Sequence, residues 1–189
     1  GRMEEIVRRE SDRLDRTVNG FLEYTRSRRL ETPRPILVGA IVEEVSDSIG
    51  QRQDARGIEI VREMDSGIQI LANPDEMHRV ISNLAINAVE ACAGEGRIVF
   101  RLSCREDFSV LEVCDDGVGM SPEIQARAFH PFYSTKPREG GLGLAIVRKI
   151  VVTSGGWIEL DSAPGLGTTF RIGMPLASVI EAVDMKVGA

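Results

Sequence analysis

Asn83 and Asn87 lie four residues apart in SNLAINAVEA (82–91), so a helix there carries both amides on one side. Val80, Leu84, Ala88 and Ala91 flank that side. Asparagine is a mediocre helix former, and burying its amide without partners is costly. The pair therefore predicts something polar against the helix. The amide oxygens suit a hard cation such as Mg²⁺ alongside phosphates; a hydrogen bond to a neighbouring helix would satisfy them too.

Three further stretches follow. In DDGVGM (115–120), Leu111, Val113 and Asp115 share one face of a preceding strand. If helices cover that face, the Asp115 carboxylate points inward and needs a donor, which a purine amino group would supply. Gly117 and Gly119 would let the backbone approach a ligand, although a capped turn reads the same way. In FHPFYSTK (129–136), Phe129 and Phe132 would pack, Ser134 and Thr135 would donate hydrogen bonds, and Lys136 would reach a phosphate. A surface loop is the alternative. GGLGLAIVRK (140–149) opens a helix with glycines at Gly141 and Gly143, beside Leu142 and Leu144. Free N–H groups at such a helix start bind anions; a tight loop-to-helix turn needs the same residues. GLGTTF (165–170), with Thr168 and Thr169, leads into a strand and would line a pocket edge.

The order of these stretches resembles the ATP-binding catalytic domain of sensor histidine kinases, in the wider superfamily of gyrase, heat-shock chaperone and mismatch-repair ATPases. The resemblance covers 36–176. It implies ATP and Mg²⁺ as ligands, with Asn87 as the metal ligand and Asn83 as a polar contact. It implies Asp115 on the adenine amino group, with Gly117 and Gly119 beside it. Asn87 and Lys136 would serve catalysis by neutralising charge. Lys136, Gly141, Leu142, Gly143, Leu144, Thr168 and Thr169 complete the expected nucleotide contacts. Two departures stand out: Glu139 and Gly140 replace the Gly-Thr that often precedes this glycine run, and Asp116 stands where Asn is common. ATP hydrolases of the superfamily usually carry a Glu base four residues before the metal Asn. Asn83 occupies that place and cannot accept a proton as a carboxylate does. A non-catalytic nucleotide-binding or dimerisation module is the remaining alternative, favoured by Glu139.

These residues need elements to hold them. Short strands are expected at 36–38, 58–63, 68–72, 97–104, 109–115, 156–161 and 167–174, and helices at 39–54, 75–92, 121–128 and 141–154. The pair 58–63 and 68–72 reads as a hairpin around Asp65–Gly67. Helices and strands that do not alternate strictly predict an α+β fold: a two-layer sandwich, with a mixed sheet covered by helices on one face, preceded by a long N-terminal helix.

That helix is read from Val7, Leu14 and Phe21 at a spacing of seven, with Val18 and Leu22 filling in. Residues 1–30 carry net charge +2 within a chain of net charge −6, leaving −8 for the rest. They resemble the second helix of a dimerisation and phosphoacceptor domain, which implies a homodimer in the full-length protein. Pro33 and Pro35 mark a linker at 31–36, followed by the catalytic domain at 37–176 and a tail at 177–189. The resemblance places the phosphoacceptor histidine on an upstream helix that this sequence does not include. His78 is expected to face solvent or pack, and His130 to be a structural or lid residue. The implied partners are ATP, the histidine-bearing helix and a response regulator receiver domain.

The acidic balance argues against a nucleic-acid partner. No apolar run reaches membrane-spanning length, and a cytoplasmic domain is expected. Cys92, Cys104 and Cys114 lack metal-site spacing and read as buried thiols.

Overall fold

In the computed structural model, residues 32–65, 67–135 and 141–178 are described. The helix read at 1–30 lies outside them, as do Lys136, Glu139 and Gly140.

Seven strands and four helices form the described fold. The chain enters through β1 (Arg34–Leu37), turns into α1 (Val38–Gly50), and reaches β2 (Gly57–Met64) through a 3-10 turn. Then come β3 (Gln69–Ala72), α2 (Pro74–Cys92), β4 (Glu95–Arg105) and β5 (Phe108–Asp115). A short α3 (Pro122–Gln125), α4 (Gly143–Thr153), β6 (Trp157–Ser162) and β7 (Thr168–Pro175) complete it. The large sheet has the order β2-β4-β5-β7-β6. It is mixed, because β2 and β4 run parallel while the other neighbours are antiparallel. The α+β sandwich expected from the sequence is the fold observed.

Period-two alternation gives this sheet its two faces. Ile98, Phe100, Leu102, Leu111, Val113, Phe170, Ile172 and Met174 are buried beneath the helices. The helical layer is continuous, since α2 packs between α1 and α4 while touching β4 and β5. The opposite face carries charges. Glu112 on β5 meets Arg101, Arg105 and Arg171, and Glu63 and Glu59 pair with Arg101 and Arg97. The exposed pairs at Glu59 and Glu63 contribute little stability individually, whereas the Glu112 side chain is only 14% exposed among its three arginines. Phe108 and Trp157 form a small apolar patch there, with ring centroids 6.4 Å apart.

α2 is specified locally at both ends. The Asn73 side chain accepts the Glu76 N–H at 3.0 Å, Pro74 opens the first turn, and Asp75 and Glu76 suit the positive end of the helix. The helix stops where Ala93 turns left-handed, at φ 53°.

Two expectations are corrected. The strands at 58–63 and 68–72 are real, but they form no hairpin. β2 pairs in parallel with β4, and β3 pairs antiparallel with β1 in a separate two-stranded sheet. Alternation marks each strand and says nothing of its partner. The proposed linker at 31–36 also overlaps β1, where Pro35 pairs with Leu71. A proline fits because β1 has no strand on its other side.

Candidate functional site

One face of α2 builds the core with Met77, Val80, Ile81, Leu84 and Ala88. The other looks into a cavity of about 680 Å³ bounded by the glycine loops, the start of α4 and the start of β7. That volume suits a drug-sized or nucleotide-sized ligand.

The cavity gathers eight of the residues expected from the sequence: Asn83, Asn87, Gly119, Gly141, Leu142, Gly143, Leu144 and Thr168. Asn83 and Asn87 differ in what they do. The Asn83 amide nitrogen donates to the Arg79 carbonyl at 2.9 Å. Its oxygen lies against Gly143, where an added Cβ would sit 2.9 Å away. Asn83 thus wedges α2 against the first turn of α4. Asn87 is half-buried, lines the cavity, and has no side-chain hydrogen bond among the described residues. Glu90 follows one turn later on the same wall. It was not singled out in the sequence; its position three residues after Asn87 is the signal that finds it.

The first turn of α4 has no side-chain cap, and its N-cap is Leu142. No acidic residue occupies that turn. Among the described residues, its N–H groups and the positive end of its dipole are therefore open to an anion. Gly141 has φ 63°, and a Cβ there would meet Phe132 and Tyr133 backbone atoms within 2.8 Å. Ser134 and Thr135 complete this end of the lining.

At the other end, Asp115 stands half-buried at the tip of β5, in register with Thr168 of β7. Its Oδ1 accepts the Gly117 N–H at 3.0 Å. Asp115, Gly117 and Thr169 are not part of the cavity lining. Thr169 is one residue from Thr168 and so faces the opposite side of the sheet, in register with Cys114. Gly117 stands outside the cavity lining, and its missing Cβ serves a second purpose. It lets the loop press on α2: a Cβ would lie 2.4 Å from the Ala91 carbonyl carbon, and the Val118 N–H donates to Ala91 O at 3.1 Å. Gly119 lines the cavity, yet the space beside it is taken by the Ala163 carbonyl.

The aromatic pair behaves unequally. Phe129 meets Phe170 edge-on at 6.3 Å. Phe132, expected to pack, is 58% exposed with φ 64°. The turn there brings its backbone against Gly141 and sends its side chain outward. Tyr133 lines the cavity beneath Arg127, whose guanidinium lies 4.3 Å from the ring centroid.

Both histidines are accounted for. His78 is on the cavity rim, near Ser82 at 3.3 Å and Glu44 of α1 at 3.6 Å. His130 is exposed in the turn after α3.

Only one of the three thiols is buried. Cys92 is buried, Cys114 half-buried and Cys104 exposed. Strand ends and the outer sheet face hold the last two, so the expectation of three buried thiols is corrected. Burial, then the nearby charges of Asp115 and Asp116, push the Cys92 thiol up to about 11. It stays protonated at pH 8 and reacts slowly. Iodoacetamide at pH 8 is expected to modify Cys104 first and to leave Cys92 unmodified until the chain unfolds, as read by peptide mass spectrometry. Because the folded thiol titrates near 11 and its unperturbed value is 9.0, folding stability is lost as pH rises through that window.

Among the described residues no group of three or more His, Cys, Asp or Glu side chains is placed to hold a metal ion. Hard oxygen donors at Asn87 and Glu90 nevertheless fit a Mg²⁺ that takes its other ligands from phosphate and water. Nor is any described helix long and apolar enough to cross a membrane.

Comparison with known proteins identifies the family and the fold. The profile of the histidine kinase-, DNA gyrase B- and HSP90-like ATPases matches residues 72–178. The chain is 34% identical over 173 residues to the sensor histidine kinase ZraS of Klebsiella oxytoca, covering 90% of this chain and 37% of that one. It therefore spans well under half the length of this relative. Full-length ShkA in complex with AMPPNP superposes with a TM-score of 0.78 at 28% identity, covering 92% of this chain and 38% of that one. Histidine kinase ThkA in complex with the response regulator protein TrrA gives 0.75 at 27% identity, covering 90% and 49%.

Proposed function

Because this chain belongs to the histidine kinase-, DNA gyrase B- and HSP90-like ATPase family, we propose that it holds Mg²⁺–ATP for transfer of the γ-phosphoryl group to a histidine on another segment of its parent kinase. From there the phosphoryl group passes to an aspartate of a response regulator. The observation that carries this reading is the meeting of the uncapped α4 N-terminus with the Asn83–Asn87–Glu90 wall of α2 across one cavity.

In this reading the base lies toward Ala91, Val118, Met120 and Thr168, near Asp115, and the phosphates lie toward Gly141–Leu144. Lys136, which follows Thr135 in the sequence, is assigned to the phosphates in this reading. Asn87 and Glu90 hold Mg²⁺, whose charge offsets that of the phosphoryl oxygens. The protein's own contribution is positioning and electrostatics, which supply most of the acceleration in phosphoryl transfer. The N–H groups of α4 fix the phosphates, and the α2 wall aligns the cation side. Neither His78 nor His130 is the acceptor. His78 is tied to α1 and Ser82, and His130 sits in a turn outside the cavity lining.

Dimerisation through residues 1–30 belongs to the same reading. It rests on the heptad stripe in that segment.

The test is thermal. A ligand that binds only the folded state stabilises it by RT ln(1 + [L]/Kd). At a concentration about 100 times Kd, ATP with Mg²⁺ is expected to add about 2.7 kcal/mol and raise the melting temperature by several degrees. No shift at millimolar ATP with Mg²⁺ would contradict the proposal.

A further inference from the structure

The α2 wall of the cavity has a direction. Arg79, Asn83 and Asn87 lie in one row along it, at intervals of four residues, and all three line the cavity. In the reading above the base lies toward Ala91 and the metal at Asn87 and Glu90, so the phosphates run toward the start of the helix. Asn83 is where the row meets the first turn of α4, its amide oxygen lying against Gly143. Arg79 stands one turn beyond that point, about 6 Å further along the helix axis.

Charge is distributed unevenly along this wall. Among the described residues, Arg79 is the one lysine or arginine in the lining, and Glu90 is the one acid. The two stand about three turns apart. Arg79 is half-buried, a place where a cation needs negative charge nearby. Glu76, one turn earlier and outside the lining, feels that cation: burial pushes its carboxyl up, and Arg79 and Lys149 of α4 draw it back down. A nucleoside diphosphate and a triphosphate share every group up to the second phosphate, and the N–H groups of α4 serve both. A guanidinium one turn further on is placed for a third, whose oxygens match its planar fork of donors.

We propose that Arg79 holds the terminal phosphate and makes the cavity prefer a nucleoside triphosphate over a diphosphate. This rests on the nucleotide reading above and names the part of the ligand that this end of the cavity takes. The same contact favours turnover: once the terminal phosphoryl group has left, the diphosphate lacks the group that Arg79 grips and dissociates more readily.

The readout is the ratio of the dissociation constants of ADP and ATP, each with Mg²⁺, titrated calorimetrically on the full chain. The parent chain is expected to bind ATP about tenfold more tightly than ADP. Arg79→Gln removes the charge and keeps a good helix former. It is expected to weaken ATP about tenfold and to leave ADP within about twofold. Arg79→Ala is expected to do the same, and either variant carries the test if the other fails to fold. A merely structural arginine would weaken both nucleotides alike, so an unchanged ratio in a folded variant would overturn the inference. A parent chain that binds ATP and ADP equally would overturn it as well. A parent chain that binds neither would overturn the nucleotide reading, and the inference with it.

Discussion

Asn87→Ala is expected to remove the thermal shift given by Mg²⁺–ATP and to cut phosphoryl transfer to a supplied acceptor helix by about 100-fold or more. The side chain is half-buried on the cavity wall and has no hydrogen-bond partner among the described residues, so its removal breaks no hydrogen bond among them. Alanine is also the better helix former, by a few tenths of a kcal/mol. Without ligand, the variant should therefore melt at or slightly above the parent temperature. Asn83→Ala should behave differently, because Asn83 bonds to the Arg79 carbonyl and lies against Gly143 as well as lining the cavity. It is expected to lose both ligand response and some stability. Calorimetry with and without Mg²⁺–ATP separates the two cases. A full ligand shift in Asn87→Ala would remove Asn87 from the site.

The second large effect is expected at Gly117. Alanine there places a methyl carbon 2.4 Å from the Ala91 carbonyl carbon and 2.5 Å from its oxygen. Both are backbone atoms in the last turns of α2, so neither can swing aside. The loop must lift from the helix, breaking the Val118 N–H bond to Ala91. Overpacking of this kind costs roughly 1–3 kcal/mol, and the lost hydrogen bond about 1 more. Urea denaturation of Gly117→Ala should show that loss, with ATP affinity reduced tenfold or more as Val118 and Gly119 move. Parent-like stability would mean that the contact between loop and helix does not set the shape of the cavity.

These two positions also show what the sequence made legible. α2 could be read because its signals are local: the Asn73 cap, Pro74, an apolar period, and two asparagines in one row. The α4 N-terminus could be read for the same reason. What was not legible depended on distant partners. Gly117 and Ala91 are 26 residues apart, and nothing near Gly117 tells a ligand's approach from a helix's. The strands β2 and β3 were visible as alternating runs, but β2 found its neighbour beyond α2 rather than across the nearest turn. Thr168 and Thr169 looked equivalent as a pair. Parity with the buried Phe170 and Ile172 is the signal that separates them. Arg79 was missed although its signal is local: it stands four residues before Asn83, on the row that the two asparagines mark.

Transfer to a histidine outside the ATP-binding domain is the central claim, and γ-labelled ATP tests it most directly. With Mg²⁺, the chain is expected to place acid-labile phosphate on a supplied protein carrying the histidine-bearing dimerisation helix, and to acquire none itself when incubated alone. Label on His78 or His130 of the chain alone would contradict this account, as would an unlabelled acceptor under conditions where ATP binding is demonstrated.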